Sequence, residues 1–360
     1  MRKLAAALCC VSVFVVLLVY QLYKPQNYFY SLVDEANDTK VTTKPSNGIK
    51  IILTWTKFFA KKDWLPYNVE KFNCVVGDCM VTSDRRMLRN SSAIIFHWRD
   101  VNLHDLPDDQ EDQVWILYNM ESPMHTPRNV LSKLSRRLDW IVTYRHDSDF
   151  VSSYGRVVPG KEVTAIENKT SLVAWLVSNC DAASNREDYA HELGRYIQVD
   201  VYGNCGKKYC PHIPASECYR KLGRNYRFYL SFENSICKDY VTEKLFYAMK
   251  YGMIPIVFGG ADYKGILPLR SYIDTQDYPS PKVLAEYLHN LSSNEEEFAS
   301  YFKWRDSFQI DVTPYKWLCN VCRKLHQNFV HDSKNTEDLE SWWYKKSDCR
   351  VWKNGKFLPL

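Results

Sequence analysis

Short apolar runs recur from residue 49 onward, and they constrain the fold of this chain more than any other feature of its sequence. Most are continuous rather than alternating, which is typical of strands buried on both faces of a parallel sheet. Eight such runs predict strands, at residues 49–55, 93–98, 114–120, 140–144, 172–177, 197–202, 228–232 and 254–258. Apolar residues at helical spacing predict helices at 186–197, 240–250 and 283–291.

Strands that alternate with helices predict an α/β fold with doubly wound parallel sheets. The 360 residues leave room for about two domains, and eight strands fit two such domains better than one. Hydrophobic residues at 46% and charged residues at 25% are typical of a globular protein and exclude a largely disordered chain. The net charge of +5, with no dense basic block, is too small to indicate a nucleic-acid binder.

The N-terminus carries one long apolar run, residues 4–20, which follows Arg2 and Lys3 and contains no charge. A cleaved signal peptide and a retained signal anchor both begin in this way. The run is longer than the usual signal-peptide core of about 7–15 residues, and no small-x-small cleavage site follows it, which favours the anchor. The basic N-terminus would then stay cytoplasmic, with the rest of the chain in the lumen. A span this short favours a thin, early secretory membrane.

These patterns predict the organisation of the whole chain. They indicate a cytoplasmic tail at 1–3, a transmembrane signal anchor at 4–23, a polar stem at 24–48, an N-terminal α/β domain at 49–170, a C-terminal α/β domain at 171–330 and a tail at 331–360. A lumenal body suits the Asn-x-Ser/Thr sequons, which make candidate N-glycosylation sites of Asn37, Asn90, Asn168 and Asn290.

The chain has 12 cysteines, of which Cys9 and Cys10 lie in the apolar run and ten lie beyond it. An even set in an oxidising compartment predicts disulfides. The alternative is a zinc site built from the CxxC at 319–322 with Cys74 and Cys79, but the spacing of the last two is unlike that of a zinc knuckle. Thioredoxin-type chemistry is disfavoured because no predicted strand leads directly into that CxxC.

Residues 226–263 carry the densest group of polar side chains, in the order strand, turn, helix, strand. Glu233 and Asn234 fill the turn, and Lys244 lies where the next helix begins. A helix N-terminus beside a lysine binds anions, and a phosphate or diphosphate suits it best. A capped surface helix with solvated charges is the alternative, and spacing alone leaves both open. The P-loop, GxGxxG, HExxH and GxSxG motifs do not occur in the sequence, which removes the usual nucleotide-loop, zinc-protease and esterase interpretations.

The same segment strongly resembles the donor-binding motif of the α1,3-fucosyltransferases, glycosyltransferase family 10. The resemblance rests on FYLSFENSICKDYVTEKL at 228–245, IPIVFGGADY at 254–263, IIFHWRD at 94–100, WILYNMESP at 115–123, TYRHDSD at 143–149, VAWLVSN at 173–179 and YFKWR at 301–305. With Tyr154-Gly155, Arg186 and the late CxxC, these motifs keep the family's order over about residues 50–325. The motifs SNC at 178–180, YGNCG at 202–206 and FENSIC at 232–237 look like the invertebrate and plant branch, whose core-type enzymes modify the proximal GlcNAc of N-glycans.

The resemblance implies two Rossmann-like doubly wound domains of the GT-B type, with the acceptor on the side of 49–170 and GDP-fucose on the side of 171–330. It implies inverting transfer of L-fucose from GDP-β-L-fucose to the 3-hydroxyl of a terminal or internal GlcNAc. The expected acceptor is a glycoprotein or glycolipid glycan, an N-glycan core or a LacNAc or LacdiNAc antenna, and the expected place is the Golgi membrane.

Inversion needs a base on the acceptor hydroxyl and positive charge on the leaving diphosphate. Glu121 matches the acidic residue of the family's ESP segment and is the candidate base. The implied donor-binding residues are Arg186 and Lys244 on the diphosphate, Asn234, Tyr240 and Glu243 around GDP and fucose, Ser178 and Asn179 near the phosphates, and Tyr202 stacked on guanine.

The Asp147-Ser148-Asp149 sequence could bind Mn²⁺ in the other large glycosyltransferase fold, but within TYRHDSD it is not a metal motif of this family. We therefore expect no obligatory cofactor, with Mn²⁺ at most stimulating. Two alternatives stay open: a metal-dependent transferase of another sugar that uses Asp147 and Asp149, and a catalytically inactive Golgi protein that binds glycans.

The resemblance also implies disulfides from Cys74 and Cys79 to Cys319 and Cys322, in either order. A second expected pair is Cys180 with Cys237, because both flank donor-site turns. Cys205, Cys210, Cys218 and Cys349 stay unassigned.

Overall fold

The computed structural model describes residues 48–67, 74, 78–108, 113–162, 169–210, 215–327 and 336–360. The predicted anchor, the predicted stem up to residue 47, Asn37 and Asn168 lie outside the described residues. Over the described ranges, no helix combines the length and apolar character that crossing a membrane would require.

The first sheet is parallel and is built from residues 50–151. Its strands are β1 (Lys50–Thr54), β2 (Cys79–Thr82), β3 (Ala93–His97), β4 (Val114–Tyr118), β5 (Trp140–Thr143) and β6 (Phe150–Val151), in the spatial order β2-β1-β3-β4-β5-β6. Every residue of β3, β4 and β5 is buried, as expected for strands covered on both faces. The helix α1 (Arg128–Leu134) connects β4 to β5 and buries three apolar side chains.

A second parallel sheet lies in the later half of the chain. Its strands are β8 (Ser171–Leu176), β9 (Val199–Tyr202), β10 (Tyr226–Phe232), β11 (Ile254–Phe258) and β12 (Ile273–Asp274), in the order β12-β11-β10-β8-β9. The crossover helices are α2 (Arg186–Leu193), α3 (Ala215–Asn225), α4 (Glu243–Lys250) and α5 (Tyr263–Ile266). The strand β7 (Arg156–Pro159), which precedes this sheet, pairs antiparallel with β13 (Phe308–Asp311).

The C-terminal part of the chain packs against both sheets. Its elements are α6 (Pro281–Ser293), α7 (Glu295–Ser300), α8 (Trp317–Leu325), α9 (Thr336–Glu340), β14 (Arg350–Lys353) and β15 (Lys356–Pro359). The helix α8 packs in the core of the first sheet, and so does Trp343, whose ring lies 5.2 Å from that of Trp98. The β14–β15 hairpin packs on the second sheet, where Trp352 contacts Tyr189. The described residues of the predicted C-terminal tail therefore join the two sheets.

All eight predicted strands are present, as β1, β3, β4, β5, β8, β9, β10 and β11, and the three predicted helices are α2, α4 and α6. The predicted α/β class with parallel sheets is confirmed. The unpredicted strands are short, and β6 and β12 have only two residues each.

Five disulfides connect the described cysteines: Cys74–Cys319, Cys79–Cys322, Cys180–Cys205, Cys210–Cys218 and Cys237–Cys349. The first two confirm that the N-terminal region is tied to the late CxxC, and their order along the chain is crossed.

The expected Cys180–Cys237 pair is wrong. A backbone hydrogen bond from Cys205 N to Val177 O places Cys205 beside Cys180. Cys237 faces the C-terminal chain instead, because Arg350 N donates to Ile236 O and brings Cys349 next to it.

Candidate active site

Both sheets share one topological feature that locates a crevice. The first strand in sequence lies between the second and the third, so that β1 separates β2 from β3 and β8 separates β9 from β10. Ligands of such sheets bind beyond the carboxyl ends of the strands at this switch point. Arg99 follows β3, Ser178 and Asn179 follow β8, and Glu233 and Asn234 follow β10. The switch points therefore collect several of the predicted site residues.

Glu233 organises the turn that precedes α4. Its side chain is buried, and its carboxylate accepts hydrogen bonds from Thr242 N at 2.8 Å and from Thr242 Oγ1 at 2.8–2.9 Å. Burial raises the pKa of Glu233, against the opposing charge of Lys244, whose Nζ lies 3.2 Å away. The carboxylate therefore holds the start of α4 and its lysine.

Lys244 stands in the first turn of α4 with its side chain only 17% exposed. Its Nζ also donates to Thr242 Oγ1 at 2.7 Å and lies 3.3 Å from Glu243 Oε1. Burial lowers the pKa of the amine, but the two carboxylates outweigh burial and the pKa is raised. A fully charged ammonium at a helix N-terminus is suited to a diphosphate.

Arg186 is buried at the start of α2, and its guanidinium binds protein groups on all sides. Nη1 donates to Phe232 O at 2.8 Å, Nη2 donates to Asn179 O at 2.9 Å, and Nε lies 3.0 Å from Glu187 Oε1. Arg186 thus contacts Phe232 while Lys244 contacts the adjacent Glu233, so both cations lie at the turn after β10, where the charge of Arg186 partly opposes the raised pKa of Lys244. Arg186 therefore holds the ends of β8 and β10 together, a role that the sequence did not predict.

Glu121 comes three residues after β4, in a turn held by Asn119. Asn119 Nδ2 donates to Glu121 O at 2.7 Å, and Glu121 N donates to Asn119 Oδ1 at 3.2 Å. The Glu121 carboxylate is 21% exposed and lies 3.9 Å from Arg99 Nη1. Burial raises its pKa, while the charges of Arg99 and Lys244 act in the opposite direction. The turn of Glu121 is joined to the turn that precedes α4 by a 2.7 Å hydrogen bond from Ser122 to Ser235, and the pKa of Glu121 is moved towards the range of a general base.

The other predicted donor residues surround the same turn, with one exception. Tyr240 is buried and packs on Tyr144 of the first sheet, with ring centroids 4.9 Å apart. Asn234 Oδ1 is buried and accepts no hydrogen bond from the described residues. Ser178 is exposed beyond the end of β8. Tyr202 lies instead at the end of the edge strand β9, with its hydroxyl 2.9 Å from that of Tyr226.

Three functional candidates were missed at the level of sequence. Arg99 belongs to the IIFHWRD segment, and its guanidinium also lies 5.2 Å from the ring of Phe59. His125 N donates to Ser122 O at 2.9 Å, and burial and the charges of Arg99 and Arg186 lower the pKa of its imidazole. Ser122 bonds to the donor turn. Arg99 and Ser122 lie within the IIFHWRD and WILYNMESP motifs, but a motif does not show which side chains contact each other in the fold.

Asp147 and Asp149 bind protein groups. Asp147 accepts from Arg145 Nε at 2.8 Å and Nη2 at 2.7 Å, and Asp149 Oδ2 accepts from Ile141 N at 2.7 Å. In the part of the chain that the structure describes, the group with suitable spacing for a metal is Cys79, Cys322 and His326. Its two cysteines are joined in a disulfide, which removes their thiolates as ligands.

Two of the four sequons can be located. Asn90 ends a 3-10 helix (Arg85–Asn90) and is exposed, and Asn290 is exposed on α6. Both side chains are open to a glycan.

Two family models match the chain and together cover most of it. The model described as "Fucosyltransferase, N-terminal" matches residues 47–155, and "Glycosyltransferase family 10 (fucosyltransferase) C-term" matches residues 166–342.

The chain is similar to fucosyltransferases of insects and mammals over most of its length. Glycoprotein 3-alpha-L-fucosyltransferase A of Drosophila melanogaster is 38% identical over 81% of this chain, which spans 61% of that relative's length. Alpha-(1,3)-fucosyltransferase C of Drosophila melanogaster is 33% identical over 84% of this chain and 79% of its own. The 4-galactosyl-N-acetylglucosaminide 3-alpha-L-fucosyltransferase 9 of Bos taurus is 33% identical over 95% of both chains.

Solved structures share the fold. A crystal structure of α1,3-fucosyltransferase with GDP-fucose has a TM-score of 0.51 and 13% identity, over 82% of this chain and 95% of that one. The same enzyme type with GDP has a TM-score of 0.52 and 13% identity, over 86% and 98%. At this identity the likeness shows the α/β fold alone.

Proposed function

The chain belongs to glycosyltransferase family 10, the α1,3-fucosyltransferases, and from this premise we propose that it transfers L-fucose from GDP-β-L-fucose to the 3-hydroxyl of GlcNAc with inversion. The observation that carries this proposal is the 2.7 Å hydrogen bond from Ser122 to Ser235, because it holds the turn of Glu121, whose pKa is raised by burial, against the turn that leads to Lys244 at the N-terminus of α4. The two sheets then serve as the two Rossmann-like domains of a GT-B enzyme.

The reaction is a single in-line displacement. Glu121 takes the proton of the acceptor 3-hydroxyl, whose oxygen forms a bond to C1 of fucose while the bond from C1 to the diphosphate oxygen breaks. Negative charge then develops on the diphosphate, where Lys244 and the N-terminus of α4 stabilise it. Arg186 adds positive potential and holds the turns after β8 and β10. The products are GDP, the fucosylated glycan and a protonated Glu121, which returns its proton to water.

The acceptor belongs on the side of the first sheet. Arg99 and the half-exposed ring of Phe59 adjoin Glu121 at the switch point between β1 and β3. The names of the relatives support two acceptor classes, a glycoprotein for the Drosophila enzyme and a 4-galactosyl-N-acetylglucosaminide for the bovine one. We infer that the acceptor here is an N-glycan core or a LacNAc or LacdiNAc antenna.

A Golgi location follows from the predicted type II signal anchor at 4–23. The disulfides suit an oxidising lumen, and so do the exposed sequons at Asn90 and Asn290. We propose a single-pass Golgi membrane protein with a lumenal catalytic body.

Transfer of radiolabelled fucose from GDP-fucose to a panel of LacNAc, LacdiNAc and N-glycan core acceptors tests the proposal. The expected product carries α-linked fucose on the GlcNAc 3-hydroxyl by NMR, with activity retained in EDTA. Complete loss in EDTA that Mn²⁺ restores would instead support the metal-dependent alternative. Glycan binding without transfer to any acceptor would support the inactive one.

A further inference from the structure

We propose that the hydrogen bond between Ser122 and Ser235 sets the gap between the catalytic base and the donor, which makes both serines positioning residues. This inference rests on the function proposed above, because it assumes that Glu121 is the base. Ser122 Oγ donates to Ser235 Oγ at 2.7 Å, and both side chains are fully buried. The two residues are 113 positions apart and belong to turns of different sheets.

The sequence neighbours of the two serines give the bond its significance. Ser122 directly follows Glu121, and Ser235 directly follows Asn234, whose buried Oδ1 accepts no hydrogen bond from the described residues. The bond therefore joins the residue next to the base to the residue next to a donor-binding candidate. A change in its length moves Glu121 relative to the donor turn.

Each turn is fixed within its own half of the molecule. On the base side, Asn119 brackets the Glu121 peptide, and Tyr154 Oη donates to Met120 O at 2.7 Å. On the donor side, Ser184 Oγ donates to Glu233 O at 2.8 Å and Ser184 N to Asn234 O at 3.2 Å. Because both turns are held internally, the Ser122–Ser235 bond acts on the distance between them.

That distance matters for chemistry more than for binding. The base must reach the acceptor hydroxyl while the attacking oxygen stays aligned with C1 of fucose, and a displacement of about 1 Å can cost about a hundredfold in rate. Lys244 and the start of α4 lie on the donor side alone, so GDP binding does not depend on the bond. Loss of the bond should lower kcat and leave GDP affinity unchanged.

The test uses Ser122→Ala, Ser235→Ala and the double variant, in the whole lumenal protein. Each single variant should lose about tenfold or more in kcat and some thermal stability, because the remaining hydroxyl is buried without its partner. The double variant leaves neither hydroxyl unpaired, so its Tm should recover while kcat stays low. GDP affinity by calorimetry should stay within about twofold throughout. Ser271→Ala is the matched control, because this buried serine donates to Pro268 O away from the cleft.

A structural role alone would restore kcat together with Tm in the double variant, and that result would overturn the inference. Single variants with kcat within about twofold of native would overturn it as well. Glu121→Gln, assayed in parallel, distinguishes failure of the positioning role from failure of the proposed function. If Glu121→Gln is active, the proposed base is wrong. If it is inactive while the serine variants match the native enzyme, only the positioning role is wrong.

Discussion

At the scale of single residues, the protonation states in the site depend on how burial and neighbouring charges act on the pKa values of Glu121 and Lys244. Burial raises the pKa of Glu121, whereas two carboxylates keep Lys244 charged although burial opposes it. The sequence selected Glu121 by its match to the ESP segment, and Lys244 both by its place at a predicted helix N-terminus and by the resemblance. It could not find the Asn119 bracket or the Ser122–Ser235 bond, because hydrogen bonds of buried side chains depend on the tertiary approach of the two turns.

Replacing Arg99 with methionine should move the acid limb of the kcat/KM profile to higher pH. Arg99 lies 3.9 Å from the Glu121 carboxylate and lowers its pKa, so removing the cation lets that pKa rise further. A larger fraction of the base is then protonated at a given acidic pH, and activity begins only at higher pH. Arg99→Lys keeps the charge and should shift the limb less. An unchanged pH profile of kcat/KM in Arg99→Met would show that Arg99 does not influence the pKa of the catalytic base.

At the scale of elements, continuous apolar runs predicted the buried strands well because such strands have one requirement, apolar side chains on both faces. The two-residue strands β6 and β12 are defined by their pairing with β5 and β11, and they are too short to show an apolar pattern in the sequence. No helix was predicted at α8, but the expected disulfides from Cys74 and Cys79 to Cys319 and Cys322 implied that this segment lies against the first sheet, and it does. The switch points could be located only from the observed strand order, because local sequence patterns do not show which strands are neighbours.

Lys244→Ala should weaken GDP binding about tenfold or more, since a charge-assisted contact contributes roughly 1.5–3 kcal/mol. Arg186→Ala should weaken GDP binding and also lower Tm, because its guanidinium holds the turns after β8 and β10. Calorimetric titration with GDP and thermal unfolding measure the two effects. Lys250→Ala, at the other end of α4, is the control and should bind GDP as the native protein does. Native GDP affinity in both site variants would place the diphosphate elsewhere.

At the scale of the whole molecule, the C-terminal residues act as a strap between the sheets. Arg145 of the first sheet donates to Trp342 O at 2.6 Å and Ser347 Oγ at 2.8 Å, and Lys238 N of the donor turn donates to Ser347 O at 2.7 Å. The Cys237–Cys349 disulfide fixes the strap beside that turn. Its pairing could not be predicted, because Cys349 has no sequence context that points to the donor site.

Cys237→Ala/Cys349→Ala should lower the free energy of unfolding and weaken GDP binding together. The disulfide spans 112 residues, for which the chain-entropy model gives about 4–5 kcal/mol, and measured losses are typically about 2–4 kcal/mol. Cys210→Ala/Cys218→Ala removes a link of 8 residues in the same half and should cost less, with GDP affinity kept. Denaturant unfolding and GDP titration give both quantities. An equal loss in the two double variants would argue against the strap.

The most direct test of the central claim is the activity of Glu121→Gln beside its GDP affinity. The substitution keeps the size of the side chain and its hydrogen-bonding capacity but removes the group that accepts the acceptor proton. General-base loss typically costs about 10²–10⁴-fold in rate, so transfer from GDP-fucose should fall by that amount while the Kd for GDP stays within about twofold. More than half of the native transfer activity in Glu121→Gln would contradict the assignment of Glu121 as the base.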